Sequence, residues 1–249
     1  MNYDDIEIYR RNKTIALDGI ESWWANRLCR KALRMAARLS RRRVEVAFTD
    51  RLIEYPLLFQ HLDLEPSRSH LLDFGCVEDL LPMHLCALGY RVTGLDFRPY
   101  PFRHERFDFI HADILSWEPP SDHFDSAISI STIEHVGLGA YGDPRASDGD
   151  KIAVAKLLRA VKPGGRLFLT VPAGRAVTTS RMRIYDAPRL RELIPNAEIV
   201  RFFAKRGRYA DWNEIAPADL ADIVCDDYDA VGAVQGVAFM MARKKQPSP

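Results

Sequence analysis

From Ser69 onward the chain alternates short apolar runs with amphipathic stretches, and that rhythm leaves few folds open to it. The runs are HLLDFG (70–75), YRVTGLDF (90–97), FDFIHADI (107–114), FDSAISIS (124–131), RLFLTVPAG (166–174), AEIVRFFAKRG (197–207) and VQGVAFMMARK (234–244). Each is short and apolar, as expected of a strand in a parallel sheet buried on both faces. Helical stretches separate them. EDLLPMHLCALG is closed by Gly89, DKIAVAKLLRAV is stopped by Lys162-Pro163-Gly164-Gly165, and RLRELI follows the fifth run. Strands alternating with helices imply a parallel sheet with right-handed crossovers. The expected fold class is therefore α/β: a Rossmann-like, mostly parallel seven-stranded sheet flanked by helices.

Ahead of this region the pattern is different. Ile20 to Val44 reads as a helix with apolar positions at Trp23, Trp24, Leu28, Leu33, Ala36 and Leu39, and Val46 to His61 reads as a second. The expected organisation is an N-terminal helical cap over 1–66, a Rossmann-like domain over 67–245 and a frayed tail at 246–249. At 249 residues, one α/β domain with extensions is the natural size.

The formal net charge is +1, so no global field calls for nucleic acid or an anionic surface. The basic residues between Arg27 and Arg43 read as a solvated helix face. The first residues are acidic and polar, unlike a signal peptide, and no apolar run approaches the ~18 residues of a spanning helix. The four cysteines, Cys29, Cys76, Cys86 and Cys225, have no C-x-x-C spacing, which argues against a zinc ribbon or a redox dithiol. These features lead us to expect a cytoplasmic protein with no membrane span and no nucleic-acid partner. Homo-oligomerisation stays open.

In an open parallel sheet, ligands bind at the carboxyl ends of the strands, where the strand order reverses. The loop Gly75-Cys76-Val77-Glu78-Asp79 after the first run is the first candidate, because glycine lets backbone approach a ligand closely. Asp96 closes the second run, 23 residues after Asp73, close to the ~20 of a ribose-binding acid.

LLDFGC…VTGLDF…HADIL…FDSAISISTIEH…LLRAVKPGGRLFLTVPAG resembles the class I S-adenosylmethionine-dependent methyltransferases, over about Leu71 to Gly174. The pattern lacks the G-x-G-x-x-G of a dinucleotide site. It also departs from the family's first motif, acid-x-Gly-x-Gly-x-Gly, with Val77 and Asp79 in place of the second and third glycines. The resemblance implies S-adenosylmethionine as cofactor. Asp73 and Gly75 would line its methionine end, Asp96 its ribose and Asp113 its adenine, with Ser131 and Thr132 beside the methyl donor. STIEHVGLGAYGDP further resembles a poorly characterised bacterial branch that accompanies sugar and polysaccharide genes. That resemblance implies O-methylation of a sugar, glycan or similar small polyol. Alternatives are another small acceptor, such as a phenol or amine, and a non-catalytic cofactor-binding module.

Methyl transfer needs an aligned acceptor, and a hydroxyl acceptor also needs a base. His135, just after the fourth run, is the expected general base, with Glu134 beside it to orient substrate or ring. Tyr141 and Asp143 are expected to bind acceptor hydroxyls. Glu134, Asp143, Asp226 and Asp227 are candidate oxygen ligands for a divalent cation such as Mg²⁺. Arg175, Arg181, Arg183 and Tyr185 are placed to meet an acidic acceptor, or else to lie in a solvated loop.

Overall fold

The structure is a computed structural model that describes residues 50–205, 212–224 and 235–246. The expected helix over Ile20–Val44, its basic face, Cys29, Cys225, Asp226 and Asp227 lie outside the described residues.

Among the described residues there are four α-helices: α1 (Arg51–His61), α2 (Leu81–Ala87), α3 (Gly149–Ala160) and α4 (Ala187–Leu193). The strands are β1 (His70–Phe74), β2 (Arg91–Asp96), β3 (Phe107–His111), β4 (Phe124–Ile130), β5 (Val161–Pro172), β6 (Val177–Thr178), β7 (Arg183–Ile184), β8 (Ala197–Ala204), β9 (Asn213–Ile215) and β10 (Gly236–Arg243). The main sheet runs β3-β2-β1-β4-β5-β10-β8-β9, with β6 and β7 forming a separate hairpin. The pairings β3/β2, β2/β1, β1/β4 and β4/β5 are parallel; β10 is antiparallel to both β5 and β8.

The expectation of seven strands needs correction: the sheet has eight. The additional strand, β9, is three residues long and partly exposed, and it pairs antiparallel with β8 at the sheet edge. A segment that short carries no periodicity of its own.

Successive strand residues face opposite sides, and each side has its own core. Leu72, Ala127, Leu167, Leu169 and Met240 pack with Val154 and Leu157 of α3 and Leu190 of α4. Leu71, Val92, Ile128, Phe168 and Phe239 pack with Leu57 and Leu58 of α1 and Leu81 and Leu85 of α2. Each such side chain, fully buried, contributes roughly 1.5–3 kcal/mol. The result is a three-layer sandwich with α1 and α2 on one face and α3 and α4 on the other.

The Lys162-Pro163-Gly164-Gly165 stop is built into the start of β5. Its register against β4 shifts between Phe124 and Ser126, so the four residues loop outward before the ladder resumes at Arg166. Gly164 has φ +81°, while a Cβ on Gly165 would stand 2.5 Å from the Asp125 carbonyl oxygen. At Gly164 an added Cβ meets only the Gln246 side chain, at 3.4 Å. Gly164→Ala should thus cost only the left-handed strain of roughly 1–2 kcal/mol. Gly165→Ala must displace backbone, and should be the more destabilising by about 1 kcal/mol or more. Denaturant melts of the two variants check the order; equal midpoints would contradict it.

Candidate active site

The strand order reverses between β1 and β4, and a cleft of about 180 Å³ opens there at the strands' carboxyl ends. It is lined by Gly75, Asp96, Asp113, Ser131, Thr132, Glu134, His135, Tyr141 and Asp143, so nine of the residues expected from the sequence share one wall. Asp50, Arg51, Phe97, Arg98 and Met182 line it as well.

Asp73 departs from expectation. It is buried behind the wall rather than part of it, and its Oδ2 has no hydrogen-bond partner. Burial, reinforced by the charges of Asp79 and Asp96, holds its carboxyl well above the usual range against the pull of Arg51.

Gly75 has φ +81°, and a Cβ there would overlap the Thr132 side chain, so only glycine fits. The chain then forms a 3₁₀ turn at Cys76–Glu78 before α2 begins. The two missing glycines are accommodated by turning their side chains inward. Val77 packs with Cys76 and Tyr100, and its N–H donates to Asp96 Oδ2 at 3.2 Å. Asp79 accepts from Leu81 N–H, while the Tyr100 hydroxyl donates to the Asp79 carbonyl at 3.1 Å.

Asp96 Oδ1 accepts from the N–H and Nε of Arg98, at 2.9 and 3.4 Å. With Val77, that fills about three of the four acceptor positions of a carboxylate. Asp113 accepts from Leu115 N–H at 2.7 Å through Oδ1.

His135 is held at two points. Its Nδ1 lies 2.5 Å from the Arg181 carbonyl oxygen, and its ring stands edge-on to Tyr141 at 5.3 Å. A carbonyl only accepts, so Nδ1 carries the hydrogen and the neutral ring presents the Nε2 lone pair. Nε2 lies 3.7 Å from Glu134 Oε1. Glu134 itself is 1% exposed, its Oε2 has no partner, and burial pushes its carboxyl well above the ordinary glutamate range. A carboxyl so enclosed, whose charged form burial disfavours, is a poor cation ligand.

Asp143 is committed otherwise than expected. Its carboxylate accepts from the N–H groups of Gly137, Gly139 and Tyr141 at 2.9–3.2 Å, which makes it the organiser of its own loop. Arg183 is also reassigned: it is buried and donates to the carbonyls of Glu134, Val136, Ala146 and Ser147, with Asp150 at 3.7 Å. Tyr185 is buried and donates to Asp150 at 2.9 Å. Neither side chain lines the cleft. Among the described residues, no three His, Cys, Asp or Glu side chains form a metal cluster.

Arg51 and Glu54 were not anticipated. Arg51 pairs with Glu54 and, at 3.6 Å, with Asp79. Glu54 is fully buried and accepts from the hydroxyls of Ser131 and Thr170 at 2.5 and 2.6 Å. The signal was present: Glu54 stands three and four residues before Leu57 and Leu58, on the apolar stripe of its helix.

A family model described as a Caenorhabditis protein of unknown function, DUF268, matches residues 102–216. Among curated proteins, none matches. Solved structures share the fold. The N-methyltransferase NodS of Bradyrhizobium japonicum, in complex with S-adenosylhomocysteine, is 14% identical with TM-score 0.55, over 79% of this chain and 88% of that one. The Burkholderia thailandensis 1,6-didemethyltoxoflavin N1-methyltransferase, with its substrate and S-adenosylhomocysteine bound, is 18% identical with TM-score 0.53, over 78% and 77%. The [4+2]-cyclase SpnF is 20% identical with TM-score 0.54, over 77% and 80%. The chain therefore has the fold of the S-adenosylmethionine-dependent methyltransferases. Among the described residues, no helix is long and apolar enough to cross a membrane.

The Glu134 carboxyl gives a stability test. Its folded pKa lies above its unfolded value, so the folded state holds the proton more tightly, and stability falls as pH climbs from about 4.5 toward the folded pKa. Glu134→Gln removes this loss. The melting-temperature difference, variant minus wild type, should widen between pH 5 and pH 8; a constant difference would show an ordinary carboxylate.

Proposed function

We propose that this protein is an S-adenosylmethionine-dependent methyltransferase that O-methylates a hydroxyl of a sugar, glycan or similar small polyol, with His135 as general base. The observation that carries the reading is the shared cleft: Gly75, Asp96, Asp113, Ser131 and Thr132, from four strand ends, line it together with His135. The residues fit the cofactor. Gly75 leaves a backbone cradle that a Cβ would fill, and Asp73 Oδ2, orphaned behind it, suits a nearby ammonium.

When bound, the cofactor supplies a methyl group on a positive sulfonium, open to in-line displacement. Asp96 would accept a ribose hydroxyl at its remaining acceptor position, and Asp113 would accept from the adenine amino group. Ser131 and Thr132 would stand beside the methyl donor. Nε2 of His135 takes the acceptor proton as the carbon–oxygen bond forms, while the Arg181 carbonyl keeps the ring in the required tautomer. Tyr141 flanks the acceptor. Glu134 sits beside the base, with its Oε1 3.7 Å from Nε2. The reading includes no metal.

An amine acceptor is the second reading. The cleft wall carries the carboxylates of Asp50, Asp96, Asp113 and Asp143 against the guanidiniums of Arg51 and Arg98, an acidic surplus that suits a cation. A panel of sugars, polyols and amines with labelled cofactor separates the two. Cofactor binding with no turnover on any acceptor would favour the non-catalytic module.

Asp96→Ala should weaken S-adenosylhomocysteine binding by about 1.5–3 kcal/mol by calorimetry. Unchanged affinity in a folded variant would remove Asp96 from the ribose. His135→Ala should lower turnover roughly 10²–10⁴-fold with cofactor affinity kept. A folded variant within a few-fold of wild type would retire the base. Turnover should also survive exhaustive chelation; loss restored by Mg²⁺ would bring a metal back.

A further inference from the structure

We propose that Glu54, on the helix ahead of the sheet, is a positioning residue that sets cofactor affinity by holding Ser131 in a left-handed backbone conformation. The inference rests on the cofactor reading above. Ser131 has φ +44°, and among the described residues only Asp122 is another non-glycine with positive φ. A serine in that region is strained unless its surroundings hold it there.

Those surroundings are specific. The Ser131 hydroxyl donates to Glu54 Oε1 at 2.5 Å, and its N–H donates to the Thr170 carbonyl and hydroxyl at 3.1 and 3.0 Å. The Thr170 hydroxyl donates to the same Glu54 oxygen at 2.6 Å. One fully buried carboxyl oxygen thus ties the residue just past β4 to the C-terminal part of β5.

The consequence reaches the cleft through the next residue. Turning the chain at Ser131 places the Thr132 side chain over Gly75, in the volume a Cβ would take. Releasing Ser131 to an ordinary backbone conformation would move Thr132 off Gly75 and reshape the loop after β1. Glu54 itself does not line the cleft, so its influence on a ligand runs through its partners: Ser131 with Thr132, and Arg51, which lines the cleft; only the Ser131 pair of variants isolates the first route.

Two substitutions at Ser131 separate this from simple contact. Ser131→Ala loses the bond to Glu54 and keeps the strain. Ser131→Gly loses the same bond but adopts the left-handed conformation freely. With the full chain and S-adenosylhomocysteine in a calorimeter, S131A should bind about tenfold more weakly than wild type, and S131G, which also lacks the hydroxyl, should bind at least about threefold more tightly than S131A. At Glu54, E54L should lose about tenfold. E54Q, whose amide oxygen still accepts both hydroxyls, should stay within about threefold. Thermal melts accompany each variant. If E54L does not fold, the alanine–glycine pair at Ser131 decides. Equal losses in S131A and S131G, or wild-type affinity in S131A or E54L, would overturn the positioning role. Wild-type protein that binds no S-adenosylhomocysteine would overturn the cofactor reading, and this inference with it.

Discussion

β1 pairs in parallel with β2 on one side and with β4 on the other. The helices that follow β1 and β4 pack on opposite faces: α2 joins one core and α3 the other. The loops leaving these two adjacent strands must therefore diverge, and the space between them cannot be filled by the sheet's own connections. Chemistry enters the molecule at that point. The first loop closes the gap with a glycine, the second with a strained serine and a threonine, and their meeting at Gly75 and Thr132 sets how wide the opening is. The antiparallel β10 and the β8–β9 edge lie beyond β5, and none of their residues lines the cleft.

The cost of this arrangement is electrostatic. Asp73, Asp79, Glu54 and Glu134 are all nearly inaccessible, and Arg51 is the cation that faces them. One guanidinium cannot neutralise four carboxylates, so burial raises Asp73 and Glu134 well above their ordinary range. At Glu54 burial also raises the carboxyl, opposed by Arg51 and by the hydroxyls of Ser131 and Thr170. Two of these acids also leave an oxygen unpartnered. A fold selected for stability alone would place apolar side chains here. The local rules are broken beside the cleft.

What could be read in the sequence follows from how far each signal reaches. The strands through β5 were legible because a strand covered on both faces must be apolar throughout, and the loop residues after them followed from topology. β9 and the β6–β7 hairpin were not, because two- and three-residue exposed strands carry no pattern. The backbone partners of Asp143 and Arg183 were not legible, for a common reason. An aspartate in a glycine-rich loop and an arginine after a strand look available for substrate, yet backbone N–H and C=O groups claimed both. That the Glu134 carboxyl resists ionisation is a tertiary property, set by what packs around it, and no local pattern announces it. Glu54 was detectable as a charge on an apolar stripe, but its partners, Ser131 and Thr170, are distant in sequence.

The fold by itself does not determine a reaction, since the structures that share it include two N-methyltransferases and a cyclase. What individualises this chain is the segment from Glu134 to Ser147, which carries His135 and Tyr141. That segment has little regular structure, so its carbonyls must find partners elsewhere. Arg183 of β7 supplies them, with four carbonyls accepting from one guanidinium that Asp150 of α3 faces in turn. From the same hairpin region the Arg181 carbonyl fixes the tautomer of His135. The excursion between β5 and α4, unremarkable in sequence, is thus what gives the loop after β4 its shape and its candidate base a defined protonation. The cleft therefore has two kinds of wall: strand ends at Gly75, Asp96 and Asp113, and one connection bracing another at His135 and Tyr141.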